Sequence, residues 1–130
     1  MSVILLRHAS AGKREAWSGD DRLRPLDKRG RAQAAALCDL LRARGVQRVL
    51  SSPYVRCTQT VAPLELEIVP DERLAEGAPV EATLALLHYL EDAVACTHGD
   101  VIEGVIGRSL AKGAAVVLDG LREVEEIAAS

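Results

Sequence analysis

Four short runs that read as strands, at residues 3–6, 46–50, 66–69 and 93–97, recur along the chain with longer segments of mixed polarity between them. The first, Val3-Ile4-Leu5-Leu6, is β-branched at its start, too short for a helix and continuous rather than alternating. That pattern belongs to a strand covered on both faces, as in a parallel sheet. Ligands of open α/β sheets bind just beyond the carboxyl ends of such strands. Arg7 and His8 follow the first run directly, so they are expected at the rim of a pocket while the residues before them are core.

Residues 9–26 form a long connection that holds Gly12, Gly19, Pro25 and many charges. A loop of this length in a compact domain is usually functional or mobile. Trp17, the only tryptophan, is read as packing this loop onto the body, with cover over a substrate as the alternative. Asp27 reads as the N-cap of a helix at 28–44, in which Ala32, Ala35, Ala36, Leu40 and Ala43 recur at helical spacing before Gly45. Within it, Cys38 and Arg44 match the Cys-x5-Arg spacing of cysteine-based phosphatases. That chemistry needs a glycine-bearing loop and a cysteine at the mouth of a helix, whereas Cys38 sits in mid-helix, so the match is rejected.

After the second run, Ser52 suits an N-cap and Pro53 a first helical position. Arg56 then falls in the first turn of a helix that Pro63 ends or kinks. Glu76 lies beside Gly77 in a polar connection leading to a helix at 80–90, and His98-Gly99-Asp100 opens another helix directly after the fourth run. The order strand, ionisable residue, helix amino terminus thus occurs three times, at Arg7/His8, Arg56 and His98, which places all of them on one side of the sheet. A helix amino terminus adds partial positive charge, so such junctions suit an anion. Towards the carboxyl terminus, Asp119-Gly120 between residues 114–118 and 121–128 reads as a hairpin turn, with a final helix from Leu121 as the alternative.

Composition narrows the function. Aromatic residues make up 2% of the chain, with no Phe, so no stacking platform for single-stranded nucleic acid exists. No apolar run approaches the roughly 20 residues that span a bilayer, and no secretion signal is evident, so the chain reads as cytoplasmic with no membrane partner. Three cysteines, an odd count, read as reduced thiols. No Cys/His cluster has zinc spacing and no Gly-x-x-x-x-Gly-Lys loop is present, so no cofactor or metal is expected. At 130 residues and 48% hydrophobic, residues 1–130 are expected to form a single domain. Residues 1–60 hold 12 Lys/Arg against 5 Asp/Glu, and residues 61–130 hold 4 against 14, so the net −3 hides halves of +7 and −10. A local anion site, or docking to an acidic partner, accounts for the basic half better than nucleic-acid binding does; two solvated faces are the simpler alternative.

Taken in order, Leu6-Arg7-His8-Ala9, Leu26-Asp27-x-x-Gly30-x-x-Gln33-Ala34, Ser51-Ser52-Pro53-x-x-Arg56-x-x-Gln59-Thr60, Leu74-x-Glu76 and Thr97-His98-Gly99 resemble the successive motifs of the histidine phosphatase superfamily. The resemblance implies a phosphoglycerate mutase-like fold, a three-layer α/β/α sandwich around a mostly parallel sheet. It makes His8 a nucleophile that becomes phosphohistidine, with Arg7, Arg56 and His98 binding the phosphoryl oxygens and no metal. In-line phosphoryl transfer independently needs a neutral imidazole nitrogen and positive donors where equatorial charge accumulates. Each arginine offers a fork to two oxygens, and His98, if protonated, adds a charged donor.

Glu76 matches the position of the acid that protonates the leaving group in many members, with Asp21 in the long loop as a rival. An alkoxide needs that proton, whereas the imidazole of a phosphohistidine leaves more easily. Mutases and acid phosphatases of the superfamily carry insertions that roof the site, for which 130 residues leave almost no room. The nearest resemblance is therefore to the small SixA-type phosphohistidine phosphatases, whose substrate is a phosphorylated protein. The segment from Arg24 to Ala34 also resembles the phosphatase domain attached to some Nudix hydrolases, which keeps nucleotides and other small phosphoesters as an alternative. A phosphate-sensing or interaction module without turnover is the alternative from another class.

Overall fold

A computed structural model describes residues 2–130. Its elements are β1 (Ser2–Arg7), α1 (Lys28–Ala43), β2 (Arg48–Ser51), α2 (Val55–Val61), β3 (Ile68–Pro70), α3 (Val80–His88), β4 (Ala93–Thr97), α4 (Gly99–Ile106), β5 (Ala115–Asp119) and β6 (Arg122–Ile127). The six strands make one sheet in the order β3-β2-β4-β1-β5-β6. The first four in that order run parallel, while β5 and β6 are antiparallel to their neighbours, so the sheet is mixed with a parallel centre.

The continuous apolar run of β1 is explained by helices on both faces. Val3 and Leu5 pack with Leu86, Leu87 and Ile102 of α3 and α4. Ile4 and Leu6 point the other way, against Leu37, Cys38 and Leu41 of α1 and Cys57 and Val61 of α2. Strand β4, next to β1, is buried along its whole length. The result is the expected three layers. No helix among the described residues is long and apolar enough to cross a membrane.

Local chemistry sets the element ends. The Asp27 carboxylate accepts the Gly30 N–H at 2.7 Å and caps α1 as its position suggests. Helix α2 starts two residues later than Pro53: the Ser52 hydroxyl accepts the Tyr54 N–H in a turn before the helix, and Tyr54 is the N-cap. The carboxyl-terminal segment is a hairpin rather than a helix. Its central residues are Gly120 and Leu121, both at positive φ, one position later than the Asp-Gly pair implies. The 9–26 connection is not structureless, since it carries single 3-10 turns at Arg14–Ala16 and Asp21–Leu23.

One close approach ties that connection to α1. A Cβ on Gly30 would lie 1.8 Å from the Ser10 carbonyl oxygen. Gly30→Ala would gain about 1 kcal/mol in helix propensity. A backbone oxygen cannot swing aside, however, and overpacking of this kind costs about 1–3 kcal/mol. The substitution is expected to lower the unfolding midpoint in urea, and an unchanged or raised midpoint would show that the loop is not held there.

Candidate active site

The carboxyl ends of β1, β2 and β4 lie side by side and are stitched together. The His8 N–H donates to the Thr97 carbonyl at 3.1 Å and the Ser52 N–H to the Cys96 carbonyl at 2.9 Å. Arg7 and His8 leave β1, Arg56 follows β2 in the first turn of α2, and His98 caps α4 after β4. All four line one cavity of about 610 Å³, together with Glu76, Arg14, Lys13, Arg24, Gly99, Asp100 and Lys112 among others. The sequence expectation that three junctions converge is met.

His8 is 6% exposed, with its Nδ1 2.8 Å from the Ala9 carbonyl oxygen. A carbonyl only accepts, so Nδ1 carries the proton and Nε2 keeps its lone pair. Burial first, and then the charges of Arg56, Arg7 and Lys112, push the His8 pKa down to about 4 against the opposing effect of the Ala9 bond. The ring is therefore a neutral imidazole at physiological pH. Its edge meets His98 with ring centroids 5.4 Å apart.

His98 is 1% exposed and has its Nε2 2.8 Å from the Ser52 hydroxyl. The hydroxyl has one proton to give, and given to Nε2 it leaves the His98 proton on Nδ1. Burial, followed by the neighbouring His8 and Arg56, depresses its pKa to about 2. The protonated donor considered from sequence is thus replaced here by a neutral N–H donor.

Arg56 is fully buried, and its terminal nitrogens are engaged. Nη1 donates to the Asp21 carbonyl at 2.8 Å and Nη2 to the Asp21 carboxylate at 3.0 Å, with Glu76 3.6 Å from Nη2. Arg7 spends Nη1 on the Leu110 carbonyl at 2.6 Å. Asp21 thus takes the Nη1–Nη2 edge of Arg56, whereas the Nε–Nη2 edge of Arg7 carries no hydrogen bond and still offers the fork that the sequence argument assumed. Each keeps its Nε. Among the described residues, three buried side-chain polar atoms have no partner: Arg7 Nε, Arg56 Nε and His98 Nδ1. All are N–H donors, and all belong to residues lining the cavity.

The two candidate acids separate. Glu76 lines the cavity and pairs with Arg14 at 2.6 Å. Its loop is pinned by the Thr97 hydroxyl donating to the Leu74 carbonyl at 2.5 Å and by the Gly77 N–H donating to Asp100 at 2.8 Å. Asp21 instead clamps Arg56 and Arg24. Burial pushes its pKa up, but the Arg24 bond and the charges of Arg56, Arg24 and Arg14 outweigh this and hold it below the usual carboxylate range. A carboxylate held ionised is a poor proton donor, so Asp21 positions Arg56.

The remaining motif residues hold the loop behind His8. Thr60 accepts the Ala9 N–H and donates to the Arg56 carbonyl, linking nucleophile and arginine segments. Gln33 accepts the Ser10 N–H, Gln59 the Leu26 N–H, and Asp27 the Ser10 hydroxyl and Gly12 N–H. Cys38 is buried between α1 and α2, where burial raises its thiol to about 11, which agrees with rejecting it as a nucleophile. Trp17 does not line the cavity; its indole N–H donates to the Asp20 carbonyl within the loop. Arg14, Arg24 and Lys112 line the cavity but were not singled out from sequence, because only the folded chain brings residues 14, 24 and 112 to one rim. No group of three His, Cys, Asp or Glu among the described residues is arranged to hold a metal.

Comparison with known proteins places this geometry. A family model described as the histidine phosphatase superfamily (branch 1) matches residues 3–84, so His98 joins the constellation through the fold rather than through the match. The chain is 42% identical over 116 residues to the 8-oxo-(d)GTP phosphatase of Mycolicibacterium smegmatis. That alignment covers 81% of this chain and 36% of the relative, so the chain spans about a third of the relative's length. Among solved structures, the protein histidine phosphatase SixA complexed with tungstate superposes with a TM-score of 0.80 at 20% identity, over 98% of this chain and 97% of that one. SixA from Agrobacterium tumefaciens gives 0.79 at 26% identity, also over 98% and 97%.

Both site histidines are neutral when folded, and this fixes a pH dependence. The unfolded chain takes up protons near the ordinary histidine pKa of about 6.5, whereas folded His8 and His98 resist protonation down to about 4 and about 2. Between these limits the unfolded state binds more protons, so stability falls as pH falls, by at most about 1.4 kcal/mol per pH unit for each ring. Thermal unfolding from pH 7 to pH 5 is expected to show this slope, and His98→Asn to flatten it. The same slope in the variant would contradict the assignment of His98.

Proposed function

The chain belongs to the histidine phosphatase superfamily, and on that premise we propose that it is a phosphatase that works through a phosphohistidine on His8 and acts on phosphohistidine in a partner protein. The observation that supports this most is the set of three buried, unpartnered N–H donors on Arg7, Arg56 and His98 around a neutral imidazole. An unpaired buried donor costs about 1–3 kcal/mol, so three on one cavity are best explained by an acceptor-rich ligand such as a phosphoryl group.

In the first step the His8 Nε2 lone pair attacks phosphorus, and the bond from phosphorus to the leaving atom breaks. Charge on the equatorial oxygens is met by Arg7, Arg56 and the His98 N–H. The two arginines supply the positive charge for this step, so the mechanism requires no metal. In the second step water attacks the phosphorus, Nε2 leaves with the P–N electron pair, and phosphate is released. Glu76 is the group placed to protonate a leaving oxygen and then to accept the proton of the attacking water.

A second reading, hydrolysis of a nucleotide or another small phosphomonoester, is favoured by the 42% identity to an 8-oxo-(d)GTP phosphatase and by the position of Glu76 on the cavity. Phosphorylated relay protein and small phosphomonoesters, hydrolysed side by side, separate the two; a clear preference for the small esters would overturn the protein substrate. Glu76→Gln sharpens the contrast. It is expected to lower kcat on phosphomonoesters about 10²-fold or more, and to leave phosphohistidine hydrolysis much less affected.

His8→Ala is expected to abolish turnover, and retained activity would overturn the mechanism. Phosphate trapped on His8 without release would instead indicate a sensing module. The free-enzyme kcat/KM should fall on the acid side as His8 is protonated near pH 4, not near 6.5, once the substrate's own ionisation is allowed for. Gly99→Ala offers a test of Arg7. The new Cβ would lie 2.8 Å from Arg7 Cζ and push the guanidinium aside, with a loss of about 10²-fold in kcat/KM expected from such a displacement.

A further inference from the structure

The connection from α4 to β5 is tied directly to the nucleophile segment. Leu110 supplies the carbonyl that holds Arg7 Nη1, and the Gly113 N–H is shared between the Arg7 and His8 carbonyls at 3.1 Å each. Lys112 lies between these anchors, so its backbone is fixed beside β1 while its side chain is exposed at the rim of the cavity. Its charge, like that of Lys13, is not taken up by a carboxylate among the described residues, in contrast to those of Arg14, Arg24 and Arg56. Arg14 pairs with Glu76, while Arg24 and Arg56 pair with Asp21. Among the described residues no ion pair holds Lys112.

The cavity is also larger than one phosphoryl group requires. At about 610 Å³ it falls within the range that houses whole small ligands. Apart from the imidazoles of His8 and His98, no aromatic ring among the described residues lines it. What extends beyond the donors of Arg7, Arg56 and His98 is charge of both signs: Lys112 on one lip and Lys13 and Arg14 in the long loop, with Glu15, Glu76, Asp100 and Glu103 also on the lining.

We infer that Lys112 holds a second anionic group of the substrate, beside the phosphoryl group that goes to His8, and so sets a preference for phosphate compounds that carry a neighbouring negative charge. This rests on the phosphatase reading above and narrows its substrate class. Nearby cations support it. Burial and the charges of Arg7 and Arg24 lower the Lys112 pKa, as is expected of an ammonium placed among like charges, where a bound anion relieves the repulsion. The neighbouring charge has two sources, a second phosphate of a small diphosphate or an acidic side chain next to a phosphohistidine.

Two paired comparisons test the inference. Calorimetry with methylphosphonate and methylenediphosphonate measures the value of a second phosphate without turnover. Hydrolysis of phosphohistidine peptides with Asp or Ser beside the phosphorylated residue measures the value of a carboxylate. In the wild type the doubly charged probe of at least one pair is expected to be favoured about fivefold, as one partly exposed charge contact would give. Lys112→Gln should bring that ratio to about one and Lys112→Arg should preserve it, and the pair that responds identifies the source. Ratios near one in both wild-type pairs, or a preference that survives Lys112→Gln, would overturn the role of Lys112. Wild-type turnover of phenyl phosphate and of the peptides reports separately on catalysis. Turnover without any second-charge preference removes only the inference about Lys112, whereas a diphosphonate preference without turnover of any phosphate compound removes only the phosphatase reading.

Discussion

The site depends on an imbalance that the rest of the molecule keeps in place: more buried N–H donors than acceptors. Arg56 is wholly enclosed, Arg7 is fixed by a carbonyl, and His98 is buried without a partner on Nδ1. Left to itself, such a group would draw in water or shift until its donors were satisfied. The packed layers on both sides of β1 keep it from shifting, and Asp21 neutralises Arg56 from behind without covering its Nε. Two depressed histidine pKa values follow from the same arrangement, first because burial disfavours the charged ring and then because cations lie nearby.

Much of what surrounds these groups serves to hold one loop. The segment after His8 donates hydrogen bonds to Thr60, Gln33 and Asp27, and it lies so close to α1 that only glycine fits at position 30. The residues of the Ser-Ser-Pro-x-x-Arg-x-x-Gln-Thr block divide in the same way. Arg56 faces the cavity, Ser52 sets the His98 tautomer, and Gln59 and Thr60 tie neighbouring loops to the strand ends.

The sequence made the strand ends legible because a two-sided strand has to be continuously apolar, and β1 and β4 carry that signature directly. Arg7, His8 and His98 follow the runs of those two strands directly, and the Ser52-Pro53 turn after β2 adds Arg56 to them. Features set by contacts distant in the chain were not legible. Nothing in the local sequence around Asp21 tells that it will face Arg56 rather than the cavity, and the anchoring of Glu76 through Thr97 and Asp100 needs the fold. Turn chemistry caused the smaller differences. Ser52 serves a turn and a histidine instead of starting a helix at Pro53, and the hairpin centres on Gly120 and Leu121.

The order of strands in the sheet has a consequence for how the chain reaches this state. Strand β1 is made first, yet its two neighbours are β4, with Val3 opposite Ala93, and β5, with Val3 opposite Leu118. Until the chain has extended beyond residue 118, the apolar run of β1 has no complete set of edges to pair with. Pairing across such separations is slow, because the closure entropy of long loops precedes any gain from contact. The four central residues, spread from position 7 to position 98, come together when β4 pairs with β1 on one side and β2 on the other.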